Sequence, residues 1–118
     1  MTAHRSESIF RIDTFRCPTK HIQAFTDRLA IIHRHFDTLD GCLYNRVVVS
    51  PGQEEVKVAT VVEWRDAAAM AGAKAAVSKI YAKEDFDPQA FMAGLGITSE
   101  MASYRDVAAL QMASASPA

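Results

Sequence analysis

The sequence predicts an α+β fold built from four strands and two main helices, and three observations carry that prediction. Runs of β-branched and aromatic residues repeat with period two; two longer stretches repeat apolar residues at three- and four-residue steps; Pro, Gly and Asp punctuate the boundaries. The size agrees. With 118 residues, 49% of them hydrophobic and 23% charged, the whole chain (1–118) reads as one domain with one core.

Ile9 to Arg16 is the first strand. Phe10, Ile12 and Thr14 share one face; Ile9, Arg11, Asp13 and Phe15 share the other. Pro18 ends it and Thr19 suits a helix N-cap. From Lys20 to about Leu39 the stripe Ile22, Phe25, Leu29, Ile32, His33 and Phe36 predicts an amphipathic helix, with Gln23, Asp27, Arg28 and Arg34 on its polar side. Asp40-Gly41 stops it, with Gly41 suited to a left-handed C-terminal residue. Leu43–Ser50 and Val56–Trp64 are the next two strands, joined at Pro51-Gly52 into a hairpin. In the second of them Val56, Val58, Thr60, Val62 and Trp64 share a face.

Asp66 caps an Ala-rich helix to about Lys83, whose inner stripe is Met70, Ala73, Val77 and Ile80 or Tyr81. Asp87-Pro88 opens a short helix, Gln89 to Ala93, stopped by Gly94 and Gly96. Glu100 to about Ala109 is the last strand. An ordered core of about 9–110 is expected, and the small polar tail, 113–118, is expected to be disordered.

The order strand, helix, strand, strand, helix, strand is the ferredoxin-like βαββαβ arrangement. It predicts a four-stranded antiparallel sheet, order 4-1-3-2, with the helices on one face. The other face is left bare, with Ile9, Phe15, Ala59 and Val61 expected there among Arg11, Asp13, Lys57 and Glu63. Such a surface needs a cover, and a second copy across a two-fold axis supplies one, so a homodimer is expected.

Thirteen basic against fourteen acidic residues give a net charge of −1, too little positive charge for a nucleic-acid partner. No apolar run reaches the ~20 residues that span a bilayer, and the polar start, Met1 to Ser8, lacks an apolar leader core; a cytoplasmic protein is expected. Cys17 and Cys42 are read as free thiols. His33 and His35 lie about 200° apart on a helix and cannot share a metal. No metal-ligand spacing, phosphate loop or nucleophile motif occurs, so neither metal nor flavin is expected.

The segment from Gly41 to Met70, GCLYNRVVVSPGQEEVKVATVVEWRDAAAM, resembles the antibiotic biosynthesis monooxygenase family of dimeric α+β barrels. It has the Gly-Cys step into the second strand, the hairpin, and the third strand ending in Glu-Trp-x-Asp. The resemblance implies a homodimer with a pocket between each sheet and its helices. It also implies oxidation of phenols or quinols by dioxygen without metal or flavin, as some members perform. The anthrone-oxidising members carry Asn, Trp and Tyr at the positions held here by Thr60, Trp64 and Met70, so one of three is retained. The Asn, Trp and His of the haem-degrading members have no counterparts here.

The candidate site residues follow. His33, on the apolar stripe of the first helix, is the candidate base, since histidine exchanges protons near neutral pH; a border histidine bonded to a carbonyl is the structural alternative. Trp64 could wall a flat aromatic ligand or simply pack the core. Thr60, on the same face and roughly 13 Å away, could bond a ligand carbonyl or serve as a strand former. Met70 and Tyr81 are placed on the inner side of the second long helix as candidate ligand contacts, with core filling the favoured role for Met70 because methionine packs adaptably. Tyr44, Asn45 and Arg46 cannot be assigned a face from the pattern. The expected function is a cofactor-independent monooxygenase acting on a small aromatic molecule. A non-enzymatic barrel binding an apolar ligand, or an isomerase or cyclase, are the alternatives on the same fold.

Overall fold

The computed structural model describes residues 7–108 and 110; the expectation for the tail, 113–118, lies outside them. The elements are β1 (Ile9–Pro18), a single 3-10 turn (Thr19–His21), α1 (Ile22–Phe36), β2 (Cys42–Ser50), β3 (Glu55–Trp64), α2 (Ala67–Glu84), α3 (Pro88–Leu95) and β4 (Thr98–Arg105). The strands form one antiparallel sheet in the order β2-β3-β1-β4, the predicted order read from the other edge.

The caps explain the helix boundaries. Asp66 accepts a bond from the Ala69 amide and starts α2, and Asp87 accepts from Gln89 and Ala90 ahead of Pro88 to start α3. Gly96 closes α3 with φ 73, while Asp85, not a glycine, takes the left-handed position after α2 with φ 52. Two expectations fail. Thr19 does not cap α1; its hydroxyl donates to the Gly52 carbonyl and ties the β1 exit to the β2–β3 turn, so α1 begins only at Ile22. Gly41 is not left-handed. Its value is space: a Cβ there would lie 2.5 Å from the Ala69 Cβ, so glycine lets β2 enter directly beneath the first turn of α2.

The largest correction concerns β1. Its register sets Arg11 opposite Val62, Asp13 opposite Thr60 and Phe15 opposite Val58. Those β3 residues face the helices, so Ile9, Arg11, Asp13 and Phe15 face them too. Phe10, Ile12 and Thr14 take the open face instead. The strand runs two residues further than expected, and Cys17, fully buried, belongs to the same parity. With it, the helix-facing set holds three apolar residues against two, which decides which side is buried.

The core lies in two clusters along β3. One is built on Phe15, Cys17, Phe25, Val56, Val58, Met92 and Ile97. The other is built on Val62, Trp64 and Ala73, with Phe36, Leu39 and Met70 against them. Thr60 and its cross-strand partner Asp13 sit between, where the apolar packing is interrupted.

Candidate functional site

That interruption is a cavity. A space of about 770 Å³ lies between the sheet and α1, α2 and α3, within the ~300–1,000 Å³ of small-molecule sites. His33, Thr60, Trp64, Met70 and Tyr81 all line it. They come from α1, β3 and α2, so the side chains singled out in the sequence converge on one space.

His33 has a partner that sequence patterning did not place. On β2, Asn45 pairs with Val62 and so faces the helices. Its Oδ1 stands 2.5 Å from Nδ1 of His33, while its Nδ2 donates to the His33 carbonyl at 2.7 Å and to Asp37 Oδ1 at 3.0 Å. With both amide donations directed at oxygens, Oδ1 is free only to accept. Nδ1 therefore carries the proton, and the lone pair of a neutral imidazole sits on Nε2. The arrangement is a histidine fixed in ring orientation and tautomer by an amide that is itself held at three points.

Beside it, Phe36 lies edge-on to both neighbours, its ring 5.3 Å from His33 and 5.1 Å from Trp64. Trp64 is 3% exposed and also belongs to the core, so it both packs and lines the space. Along the sheet wall, Arg11 Nε bonds Asp13 Oδ1 at 2.7 Å, and both residues line the cavity with Thr60 and Ser103. At the opposite end the Arg28 guanidinium lies 3.6 Å over the Phe86 ring, near Tyr81, and is paired with Glu84. Arg28 therefore faces inward, not onto the polar side of α1. Burial, opposed by the nearby Arg28 charge, pushes the Tyr81 phenol up, so it is a neutral donor over the whole physiological range.

Outside the cavity the structure assigns fewer roles. His35 Nε2 is buried with no hydrogen-bond partner among the described residues. Cys17 and Cys42 are free, and burial pushes both thiols up, which disfavours a nucleophilic thiolate. Among the described residues no group of three or more His, Cys, Asp or Glu could hold a metal, and no helix is long and apolar enough to cross a membrane.

No family model and no curated protein sequence matches the chain. Solved structures do. One, from Deinococcus radiodurans, is described as a candidate antibiotic biosynthesis monooxygenase; it shares 17% identity over 83% of this chain and 91% of its own, with a TM-score of 0.58. SnoaB, a cofactor-independent oxygenase from Streptomyces nogalater, shares 16% identity over 85% of this chain and 93% of its own, with a TM-score of 0.60. The fold is that of the antibiotic biosynthesis monooxygenases. PA3566 from Pseudomonas aeruginosa has it as well, with 15% identity, 88% and 98% coverage and a TM-score of 0.64. At such identities the monooxygenase fold is what is shared, and the chemistry must be argued from the cavity.

Arg11, Asp13, Ser103 and Asn45 are the cavity or supporting residues that sequence reasoning missed. Arg11 and Asp13 went to the wrong face with the rest of β1. Counting Cys17 with Phe15 and Ile9 was the available signal. Nothing in the pattern of β2 marked Asn45, because three consecutive valines leave its parity ambiguous.

Proposed function

We propose that this protein is a cofactor-independent monooxygenase that oxidises a phenol or quinol with dioxygen. The observation carrying the reading is His33, held by Asn45 with its Nε2 lone pair unassigned, in the wall of a largely apolar cavity that also contains Trp64.

In the proposed reaction His33 Nε2 takes the phenolic proton. The electron-rich phenolate transfers electrons to dioxygen, and a carbon–oxygen bond forms at a hydrogen-bearing ring carbon, para to the phenolate oxygen in an anthrone enol and ortho to it in a hydroquinone. His33 returns the proton to the distal oxygen, giving a hydroperoxide. Loss of the ring C–H proton then expels hydroxide as the O–O bond breaks, and the two combine as water. One oxygen atom ends in a quinone carbonyl and the other in water, and the substrate supplies all the electrons. Thr60 and the neutral Tyr81 phenol are the groups proposed to bond the substrate oxygens, with Trp64 and Met70 against its ring.

The working unit is proposed to be a cytoplasmic homodimer. The open sheet face carries Phe10, Ile12, Ala59, Val61 and Val48, and Tyr44 and Tyr104 there are 48% and 50% exposed. Such a face is buried efficiently by a second sheet. Two unbridged thiols agree with a reducing compartment.

Oxygen consumption with a panel of hydroquinones and anthrones, without added metal or flavin, tests the reading. Uptake that falls by about 10²–10⁴ in His33→Ala is expected of a general base. A second reading, ligand binding without chemistry, draws on Thr60 and Met70 standing where the anthrone-oxidising relatives carry Asn and Tyr. Trp64 quenching without oxygen uptake across the panel would favour it.

A further inference from the structure

We infer that the cavity selects aromatic molecules bearing a carboxylate, and that Arg11 is the residue that reads it; this rests on the cavity being the substrate site proposed above. Arg11 lies on β1 directly opposite Ser103 of β4 and Val62 of β3, at the level of the sheet wall two residues before Trp64 on the same face of β3. That places it about 7 Å along the strand from the tryptophan, within the span of one or two fused rings.

Its geometry is that of a prepared receptor. Asp13 takes Nε at 2.7 Å and so fixes the plane of the guanidinium. Both terminal nitrogens are left without a partner among the described residues, on a side chain that is 36% exposed within the cavity wall. Two parallel N–H donors on a planar fork match the two oxygens of a carboxylate.

The charge balance of the cavity points the same way. Its lining carries Arg11, Arg28 and Lys74 against a single carboxylate, Asp13. Arg28 is not the reader. It is paired with Glu84 and stacked on Phe86, and its Nε is buried without access. Lys74 is an exposed side chain at the rim, a flexible point charge without the fork. A neutral polycycle would leave the Arg11 terminal donors unpaired once the cavity closed around it, a desolvation cost that an acid avoids.

The test uses 2-naphthoate and its neutral counterpart 2-naphthamide. Neither has a phenol, so their binding is independent of turnover. Calorimetric titration should show the acid binding at least about tenfold tighter than the amide, as a charge-assisted bidentate pair requires. Arg11→Gln should bring the two affinities together, Arg11→Lys should retain part of the preference, and Lys74→Gln should leave it unchanged, with the melting temperature of each variant confirming that it folds. Equal affinities in the wild-type protein, no binding of either compound, or a preference that survives Arg11→Gln would overturn the inference. Oxygen uptake with neutral hydroquinones alongside equal naphthoate and naphthamide affinities would overturn it while leaving the monooxygenase reading intact. A clear acid preference with no oxygen uptake by any hydroxylated acid would do the reverse.

Discussion

Asn45 and His33 are bound to each other twice: ring Nδ1 meets amide Oδ1 at 2.5 Å, and the amide nitrogen returns a bond to the His33 carbonyl at 2.7 Å. The second bond makes the first directional. Because the amide nitrogen is committed to the α1 backbone and to Asp37, the amide cannot flip to present a donor to the ring without losing both bonds. If His33 is the base, Asn45 sets which nitrogen does the work.

Replacing Asn45 therefore separates orientation from binding. Asn45→Leu should lower oxygen uptake toward the level of His33→Ala while leaving the affinity for a bound aromatic nearly unchanged. Asn45→Asp keeps an acceptor and adds a negative charge beside the ring, which favours the imidazolium; the acidic limb of the pH–rate profile should move to higher pH. A profile that does not move in Asn45→Asp, with the fold intact, would count against a base at His33.

Trp64 reports the cavity directly because it is the only tryptophan. A flat ligand should quench its emission saturably. Trp64→Phe should weaken binding about three- to tenfold, the worth of a stacked pair, with little loss of fold. Trp64→Ala should cost about 3–5 kcal/mol in urea unfolding, since the side chain is buried against Phe36 and Ala73. Ligand binding by calorimetry with unchanged emission would remove Trp64 from the site.

Dimerisation should depend on the open face. Sedimentation at micromolar concentration should give a species near twice 12.9 kDa. Ile12→Lys should dissociate it and Arg11→Glu should not, since Arg11 lies on the helix side of the sheet. A monomeric wild-type protein would contradict the barrel.

Tyr81 supplies a pH prediction. Burial raises its pKa above the ordinary 10.0, so the folded state holds this proton more tightly than the unfolded chain does. The associated stability is fully present below the unfolded pKa and is lost as pH rises through the folded one. The melting temperature should therefore be insensitive to this group up to about pH 9 and fall above about pH 10, and Tyr81→Phe should flatten that fall.

Gly41 tests the packing of α2 on the sheet. Gly41→Ala sets a Cβ 2.5 Å from that of Ala69, and overpacking of this kind costs about 1–3 kcal/mol. Pairing it with Ala69→Gly should recover part of the loss.

Much of this architecture was legible because each element repeats its own period. β3 alternates Val56, Val58, Thr60, Val62 and Trp64 without a break, and α1 keeps its stripe from Ile22 to Phe36, so both faced the core as expected. β1 failed because Phe10 and Ile12 on one side balance Ile9 and Phe15 on the other, and a one-residue parity error moves every side chain across the sheet. That single error hid Arg11 and Asp13, two polar residues that line the cavity. Asn45 was hidden for a different reason: its role is a contact between β2 and α1, twelve residues apart in sequence, which no local period encodes.

Heavy-isotope dioxygen reports where each oxygen atom goes when His33 serves as base for a phenolic substrate in the cavity. Purified protein, stripped with chelator and free of flavin absorbance, is given an anthrone or hydroquinone under labelled dioxygen. A quinone carrying one labelled oxygen atom is expected, formed about 10²–10⁴ times more slowly by His33→Ala. An unlabelled product, or labelled product formed equally fast by His33→Ala, would rule out oxygenation with His33 as base.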